Sequence, residues 1–587
     1  MEKNPTKNEV SVDAFFALVQ NINALIWHEY VLYSLLATGV LFSVWSVSSQ
    51  YQSLVHGTAI TLGHYDDPHD PGAINHFQAL STALSATVGL GNIGGVAIAI
   101  GLGGPGAVFW MWVVGLLGMS IKVIEVTLSM MYRNVDDPDN PHGGPMWVAK
   151  RAFAEMGPNW AKLGAFLGGT YCVGMLFGVF VGGNMFQAWN VADVSASYFG
   201  WSRTLVGVTL AVIVGGVLIG GIKRIGQVTS FLVPIMCLVY MLAGLYVIIT
   251  NITLIPETFA LIFKSAFNPT EAQGAFIGGS AGAAMMWGMK RALYSSEVGQ
   301  GSSAIAHSAA KTDEPVREGL VAGLEPFIDT LVVCTITAMV ILLSGVWNRG
   351  PDTYLNQSPI VVASAEHEAG TWVVGKQPLP QRQQEGNSDD WQNDSQAFML
   401  WQHNDGEVSR WYGVIETQNG KAYLILDPLK SPTKPTLQDA GVFQAYAGAS
   451  LTALAFNRSH DNFGKWLVTI AAWMFAISTM ISWGYYGEQG ISYLFGNRAI
   501  LPYKILFCSA TFIATSGLMR TTSQLDGITT LGAGVLLIIC LPITLIFGHK
   551  AVAAYKEYIS KLKAGDFDTD YHRTKLSSLV GRDKTQK

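Results

Sequence analysis

The stretch STALSATVGLGNIGG (81–95) decides the fold, because four glycines cluster inside a run from Pro71 to Ile121 that contains no Asp, Glu, Lys or Arg. Glycine costs roughly 1 kcal/mol per helical position relative to alanine, so a helix unwinds cheaply near 88–92. Unwinding would free carbonyl oxygens for a hard cation and N–H groups for a carboxylate. Close helix packing through small residues is the alternative. Asn92 favours unwinding, because an amide without a partner is costly in hydrocarbon.

The composition excludes several classes of protein. Only 13% of the 587 residues are charged, whereas a soluble domain averages about 25%. A purely soluble enzyme is therefore excluded. The net charge of −5 offers no basic surface for nucleic acid. Five cysteines stand singly in apolar stretches, so neither a zinc site nor a disulfide framework is expected.

Uncharged runs predict an all-α polytopic membrane protein, because a helix needs ~20 apolar residues to cross a bilayer. We expect eleven spans, one leading helix followed by ten more. The Pro71 run supplies two of them, joined by a turn at 101–106. The other runs are 30–56, 163–192, 204–222, 225–256, 272–289, 330–348, 466–487, 505–519 and 527–549.

A second, weaker interruption is predicted in the sixth helix of the ten-helix unit, at Gly278–Gly282 and Trp287–Arg291. Two sets of five helices that each open with a broken helix indicate an inverted repeat. The expected division is a polar or amphipathic N-terminal segment (1–28), an extra transmembrane helix (29–56), a first five-helix repeat (71–256), helices 6–7 of the second repeat (272–348), an insertion (349–440), helices 8–10 (441–549) and a tail (550–587).

Lysine and arginine cluster in alternate connections, which should be cytoplasmic. One such connection carries Arg133, Lys150 and Arg151, and we expect another to carry Lys290 and Arg291. This pattern predicts a cytoplasmic C-terminus in the cell inner membrane. The N-terminus and the 349–440 insertion are then extracytoplasmic.

The insertion is hydrophilic, with seven Lys/Arg against twelve Asp/Glu, and parts of it alternate as strands do. We expect strands at 396–403, 408–417 and 421–426, with turns at Asn404-Asp405-Gly406 and Asn419-Gly420. Two roles stay open for this small β-meander. It is either a decorative insertion or a lid that docks an unknown partner.

Polar side chains within the spans offer further ligands. The Ser478 and Thr479 hydroxyls, with the Phe475 carbonyl, could hold sodium or could bond their own helix. Asn184 and Gln187 could line a cavity or join two helices. Lys122 and Glu125 are expected to form a local ion pair. Asp329 is placed at the start of a span, and the absence of an obvious mid-span carboxylate favours sodium over protons as the coupling ion.

Several motifs together resemble the alanine/glycine:cation symporter family, the sodium:alanine symporters. The most specific is GGPGAVFWMWV (103–113). Others are Gly91-Asn92-Ile93, Gly143-Gly144-Pro145-Met146, Gly183-Asn184-Met185, Lys290-Arg291 followed by Ile305-Ala306-His307, Phe327–Thr335, and Ser478-Thr479 followed by Trp483 and Glu488. The resemblance covers roughly 30–345 and 440–550 and leaves out the insertion.

The resemblance implies a leucine-transporter-like fold that binds sodium and a small neutral amino acid. The implied sodium ligands are carbonyls of Ser85, Val88 and Phe475 with hydroxyls of Ser478 and Thr479. The implied substrate residues are Thr87, Gly89, Asn92, Gly183, Asn184, Gln187, Met286, Trp287, Met289, Thr479 and Trp483.

The expected function is therefore sodium-coupled import by alternating access. The family resemblance makes alanine or glycine the expected substrate. Leu90 stands where the family often has threonine, and this departure beside the pocket leaves another small neutral amino acid open. Three alternatives remain: a proton-coupled transporter, a transporter-derived sensor and a membrane enzyme. The enzyme is disfavoured because the histidines form no HExxH-type pair.

Overall fold

A computed structural model describes residues 18–567 except for 68, 271–275, 366, 383–390, 392, 394, 404–405, 407, 447, 460–462 and 517–521. The segment predicted at 1–28 is thus described from residue 18, and the tail only as far as 567. Most of the turn predicted at Asn404-Asp405-Gly406 lies outside the described residues.

Helices form the body of the described chain. In order they are α1 (Leu18–Ser46), α2 (His76–Thr87), α3 (Gly91–Gly103), α4 (Ala107–Met131), α5 (Pro145–Ala154), α6 (Pro158–Ala196), α7 (Arg203–Leu218), α8 (Gly221–Thr250), α9 (Ile255–Phe267), α10 (Ala281–Ser296), α11 (Ser303–His307), α12 (Pro315–Leu343), α13 (Ala449–Ser459), α14 (Phe463–Phe495), α15 (Ile500–Thr515) and α16 (Thr522–Ala564).

The bundle is that of a helical polytopic membrane protein. Within the described residues, seven helices are long and apolar enough to cross a membrane, namely α1, α4, α6, α8, α12, α14 and α16. The bent pair α2 and α3 brings this number to eight if the pair is one span. The apolar helix α7 is shorter, at 16 residues.

Local sequence explains where the bent pair begins and ends. The Asn75 side chain accepts the Gln78 N–H at 2.8 Å, and the Gln78 side chain accepts the Asn75 N–H at 3.2 Å. This reciprocal capping satisfies two donors at the start of α2. α3 ends at Gly104, whose φ of +77° suits glycine. The turn predicted at 101–106 is thereby confirmed.

The break predicted inside the sixth helix of the unit, at Trp287–Arg291, is wrong, because α10 is continuous across these residues. The chain leaves the helix later, at Glu297, and regains it at α11. Glu297, Gly299 and Gly301 all have positive φ, of 52°, 76° and 75°. The interruption therefore exists but follows α10.

The continuity of α10 also changes the roles expected for its glycines and for its two cations. A Cβ at Gly288 would collide with the Ala107 carbonyl on α4, so this glycine serves close packing rather than unwinding. Gly278 and Gly279 precede α10, which Ser280 caps. Lys290 and Arg291 lie in the middle of α10, so their assignment to a cytoplasmic connection is also wrong.

The insertion is larger than the predicted meander. The strands expected at 396–403, 408–417 and 421–426 are confirmed as β5, β6 and β7, and the turn at Asn419-Gly420 has the positive φ values of a tight hairpin. They belong to a seven-stranded sheet of order β1-β10-β5-β6-β7-β4, with β9 also paired to β5, and β2-β3-β8 form a second sheet. The strands are β1 (Thr353–Tyr354), β2 (Val361–Ala363), β3 (Thr371–Val374), β4 (Gln377–Pro378), β5 (Gln396–Gln402), β6 (Val408–Gln418), β7 (Lys421–Leu426), β8 (Leu429–Lys430), β9 (Thr436–Leu437) and β10 (Gly441–Gln444).

The strands β1–β10 form one unit, called the β unit below, which spans 353–444 and packs on the helical bundle. Phe398 and Phe443 stack at 5.0 Å between ring centroids, and Ile277, just before α10, packs against them. The Arg410 guanidinium donates to the Gly101 carbonyl in α3 at 3.4 Å. The unit therefore lies over the end of the bundle where α3 stops and α10 starts.

A buried ionic chain joins α2, α4 and α12. His307 contacts Glu318 at 2.5 Å and Glu325 at 2.7 Å, and Glu325 pairs with Lys122 at 3.2 Å. His76, the first residue of α2, is bonded to Glu318. Lys122 thus pairs across helices with Glu325, and the expected local pair with Glu125 is wrong. A charge taken out of water needs such a partner, because an unpaired one costs several kcal/mol.

Both nitrogens of the His307 ring face carboxylates, which favours the imidazolium form. Burial by itself lowers the pKa of His307, but the two glutamate contacts outweigh burial and raise the pKa from 6.5 to about 9. A pKa raised on folding adds stability that is complete below pH 6.5 and disappears as the pH rises through 9.

We therefore predict that the melting temperature of the detergent-solubilised protein falls by several degrees between pH 6.5 and 9. The His307→Gln variant should be less stable at pH 6.5 and show a flatter profile. His69→Gln serves as the control, because His69 is exposed. An equally steep decline in the His307→Gln variant would assign the titration to another group.

Candidate functional site

The helix break predicted near Val88–Asn92 is confirmed. α2 ends at Thr87, Val88 has an extended conformation (φ −78°, ψ 93°), and the axis turns by 51° before α3 continues. Val88 is fully buried. The break therefore exposes main-chain polar groups to the interior of the protein and not to solvent.

Two carbonyls lose their helical donors at the break. In a continuous helix the Gly89 N–H would bond to Ser85, and the Asn92 N–H would bond to Val88. Here the Gly89 N–H donates to Asn92 Oδ1 at 2.9 Å, and the Asn92 N–H donates to the Gly89 carbonyl at 3.1 Å. Ser85, in α2, and Val88, which follows it, are the two main-chain positions near the break that the family resemblance implies as sodium ligands.

α14 packs directly against the break. Ser85 Oγ donates to the Ser478 carbonyl at 2.6 Å, and a Cβ at Gly89 would lie 2.9 Å from Thr479 Oγ1. Thr479 Oγ1 is buried and has no hydrogen-bond partner among the described residues. Ser478 Oγ instead donates to the Phe475 carbonyl at 2.9 Å, as expected for bonding within its own helix. Contacts therefore join Ser85 to Ser478, Ser478 to Phe475 and Gly89 to Thr479, and the Thr479 hydroxyl is buried without a described partner.

Asn92 holds the break from within. Its Oδ1 accepts the Gly89 N–H, and its Nδ2 donates to Asp329 and lies 3.4 Å from Cys334 Sγ. Asp329 also accepts from the Thr330 hydroxyl at 3.1 Å. The amide is fully buried and fully engaged. It therefore stabilises the unwound backbone in addition to any contact with a substrate.

Asp329 is the residue that the sequence reasoning misjudged. It was placed at the start of a span, but α12 begins at Pro315 and runs to Leu343, which makes Asp329 its central residue. The expectation that no carboxylate lies near mid-span is therefore wrong. A signal was available in the spacing: Glu318, Glu325 and Asp329 are seven and four residues apart, and this spacing puts them on one helical face.

α6 contributes its glycines to the same region. Gly183 packs directly on the Trp483 side chain, and a Cβ at Gly178 would lie 3.3 Å from that ring. Gln187 Nε2 donates to the Gly182 carbonyl at 3.1 Å, while its buried Oε1 has no partner among the described residues. Gly183 and Trp483 thus form one α6–α14 contact, while Gln187 bonds within α6.

Asn184 is turned away from this contact. Its Nδ2 donates to the Phe507 carbonyl at 2.6 Å, and its Oδ1 accepts the Thr511 hydroxyl at 2.7 Å. Both partners belong to α15. Asn184 therefore joins two helices, which is one of the two roles left open for it, and its contact with a substrate stays a prediction.

The remaining predicted residues are dispersed. Thr87 is buried at the end of α2, where its hydroxyl lies 3.4 Å from the Leu84 carbonyl. Met289 is buried in the main apolar core, and Met286 packs against that core. Trp287 packs on Gly103 of α3 and lines a separate cavity beside Lys290. α10 packs against Gly91–Gly95 at the start of α3, so these side chains lie on a helix next to the break, and their contact with a substrate stays a prediction.

Sequence comparison gives a consistent result. The profile of the sodium:alanine symporter family matches residues 12–376 and 435–572. The gap between the two matched ranges removes most of the β unit. The chain is 35% identical to the sodium/alanine symporter AgcS of Methanococcus maripaludis, over 85% of this chain and 88% of that protein.

Two further similarities are more distant. The probable sodium/glutamine symporter GlnT of Bacillus subtilis is 33% identical over 60% of this chain and 70% of its own length. The crystal structure of MhsT in complex with L-phenylalanine aligns with a TM-score of 0.44 and 12% identity, over 81% of this chain and 89% of that chain.

The family match covers both sides of the β unit and includes the broken helix, α6 and α14. Members of this family are transporters and not enzymes. On this basis the chain belongs to the sodium:alanine symporter family.

Proposed function

We propose that the protein is a sodium-coupled transporter that imports a small neutral amino acid, alanine or glycine, by alternating access. The observation that carries this proposal is the break at Val88. The break leaves the Ser85 and Val88 carbonyls without their helical donors, and Gly89, between them and Asn92, packs against Thr479 Oγ1, a buried hydroxyl without a described partner. Oxygen ligands of this kind suit a hard monovalent cation better than any other cargo.

The proposed sodium ligands are the carbonyls of Ser85, Val88 and Phe475 and the hydroxyls of Ser478 and Thr479. Ser478 Oγ can join this set while it donates to the Phe475 carbonyl, because its oxygen lone pairs stay free to coordinate sodium. The amino acid binds beside it, at Thr87, Gly89, Asn92, Thr479, Gly183, Gln187 and Trp483. Free N–H groups at the start of α3 attract its carboxylate, because the N-terminal end of a helix carries partial positive charge.

The binding of sodium and the binding of the amino acid are coupled through one shared residue. Thr479 belongs to both sets, so sodium bound at Thr479 prepares the substrate site, and the reverse holds by thermodynamic linkage. Such coupling is typically worth about 1–3 kcal/mol between two sites. Sodium thereby selects the conformation that binds the amino acid, and both ligands favour closure around the break.

The proposed architecture has eleven spans. The eight apolar spans are joined by α7, α10 and α15, which are shorter. After α1, the broken pair α2–α3 opens one set of five spans, and α10 with its interruption at Glu297 opens a second set. This arrangement supports a 5+5 inverted repeat of the leucine-transporter type.

The proposed location is the cell inner membrane, with the β unit and the N-terminus outside and the C-terminus in the cytoplasm. Arg133 and Arg151 support this orientation. Arg133 follows α4 and Arg151 lies in α5, where it donates to the Arg133 carbonyl, and both are at the opposite end of α4 from Gly101 and the β unit. The 349–440 insertion then lies outside the cell membrane, where it covers the ends of α3 and α10.

Proton coupling is the second candidate, because Asp329 is a buried carboxylate at the centre of a span. Ionisable residues in that position usually mark an ion pathway. Its partner is Asn92, at the break itself. Protonation of Asp329 would therefore act on the backbone that binds the cargo.

Removing the Thr479 hydroxyl tests the sodium site. Thr479→Ala should raise the sodium concentration for half-maximal uptake about tenfold, the loss expected for one charge-assisted contact. Thr479→Ser should stay near wild type. Thr469→Ala on the same helix is the matched control, because the Thr469 hydroxyl only bonds Lys465 at 2.7 Å. A change in substrate preference alone would disprove the sodium assignment.

Removing the Asn92 amide tests the break. Asn92→Ala should abolish sodium-dependent alanine uptake into proteoliposomes while membrane insertion and yield are retained, because the Gly89 N–H loses its acceptor. Normal sodium-driven uptake by this variant would refute the role assigned to the break.

Asp329→Asn separates the two coupling ions, because asparagine still accepts from Asn92 but carries no charge. With sodium coupling, a sodium gradient alone should still drive accumulation by the variant. With proton coupling, a pH gradient should drive the wild type and not the variant. Asp193→Asn, which removes a carboxylate paired with Arg203 at 2.7 Å, is the control for charge loss.

A further inference from the structure

A second polar cavity lies apart from the break. It occupies about 320 Å³ between the N-terminal part of α1, the middle of α10 and α16. The side chains that matter are Asn23, Trp27, Trp287, Lys290, Arg291 and Thr530. Ala24, which is exposed, stands at its rim.

One wall of the cavity is cationic. Lys290 Nζ lies 5.6 Å from the centre of the Trp287 ring, and the Arg291 guanidinium lies 5.7 Å from that of Tyr294. Neither cation forms an ion pair with a described carboxylate, and Arg291 Nε is buried without a described acceptor. Elsewhere in the described chain, the buried Lys122 has its own glutamate. Two adjacent cations without a carboxylate therefore call for an anionic ligand, because desolvated charge is costly when it is unpaired.

The other wall offers an acceptor and aromatic faces. Asn23 Nδ2 donates to the Gly527 carbonyl at 2.7 Å, which fixes the orientation of the amide. Its Oδ1 is buried and has no described donor. Trp27 is held beside it by a 3.0 Å bond to the Thr530 carbonyl. A carbonyl oxygen next to an indole ring suits an ammonium group, through a hydrogen bond and a cation–π contact.

The two walls together match a zwitterion. A phosphate or an inorganic anion would use the cations but would leave Asn23 Oδ1 without a donor. A volume of 320 Å³ corresponds to roughly ten water molecules at ~30 Å³ each, so the space accepts a small amino acid with its hydration.

We infer that this cavity is an outer binding site for the amino-acid cargo, with the carboxylate on Lys290 and Arg291 and the ammonium on Asn23. The inference rests on the proposed function, since it takes the cargo from there. One wall of the cavity adjoins the second half of the broken helix, because a Cβ at Gly95 of α3 would lie 3.5 Å from Arg291 Cδ. A cargo bound to Arg291 would therefore lie beside α3.

The test counts alanine molecules bound to the full-length protein. Radiolabelled alanine is measured by equilibrium binding in nanodiscs at saturating sodium. The wild type should bind two molecules per chain, and Arg291→Gln should bind one. Lys264→Gln, which removes an exposed lysine outside the cavity on α9, should bind two. Arg291→Lys should restore the second molecule and thereby exclude misfolding as the cause.

Uptake provides the second measurement. Arg291→Gln should raise the KM for alanine about tenfold at unchanged sodium dependence, the effect expected for one lost charge-assisted contact. A wild type that binds a single alanine, together with an unchanged KM in Arg291→Gln, would overturn the inference and leave the proposed function intact. A wild type without any sodium-dependent binding would instead overturn the proposed function.

Labelling at the rim identifies the ligand. In an Ala24→Cys variant, alanine should slow modification by a membrane-impermeant thiol reagent, and adding Arg291→Gln should remove this protection. The same protein without Ala24→Cys gives the background from native cysteines. Protection by phosphatidylglycerol in the nanodisc, with none by alanine, would assign the cavity to a lipid phosphate and disprove the inference.

Discussion

The site depends on a helix that stops bonding to itself inside an apolar bundle. A main-chain polar group without a partner in hydrocarbon costs several kcal/mol, so a break of this kind needs substitute partners. Asn92 supplies one by accepting the Gly89 N–H, and it is held in place by Asp329. One side chain thus satisfies the freed donor, while the carbonyls of Ser85 and Val88 lose their helical donors next to α14.

The two halves of the broken helix are anchored to different parts of the molecule. α2 is tied to α14 through Ser85 and Ser482, and its first residue is tied to α12 through Glu318. α3 is tied instead to the outer cover, since Thr452 of α13 donates to the Ile93 carbonyl at 3.0 Å and Arg410 of the β unit reaches Gly101. The two differently anchored halves meet at 88–90, where helical bonds are missing. The β unit therefore has a structural connection to the site although the family profile omits most of it.

Buried charge is arranged along one face of α12. Glu318 and Glu325 belong to the ionic chain through His307, while Asp329 belongs to the break. The first two are neutralised by nearby histidine and lysine. Asp329 contacts an amide and a hydroxyl in place of a cation, and this difference is the reason why Asp329, and neither glutamate, is the carboxylate proposed for proton coupling.

Much of the fold could be read from local sequence, and the exceptions share one cause. The break at 88–92, the turn at 101–106 and the strands β5–β7 were predictable, because glycine content, missing charges and alternation act over a few residues. Three features were not predictable: the interruption after Ser296, the pairing of Lys122 with Glu325, and the bonds from Asn184 to α15. Each depends on which distant segment lies alongside. The sequence by itself therefore determined where the helix breaks between α2 and α3. Only the tertiary structure decided what stabilises this break, because Asn92 and Asp329 lie 237 residues apart and meet only when α12 packs against the break.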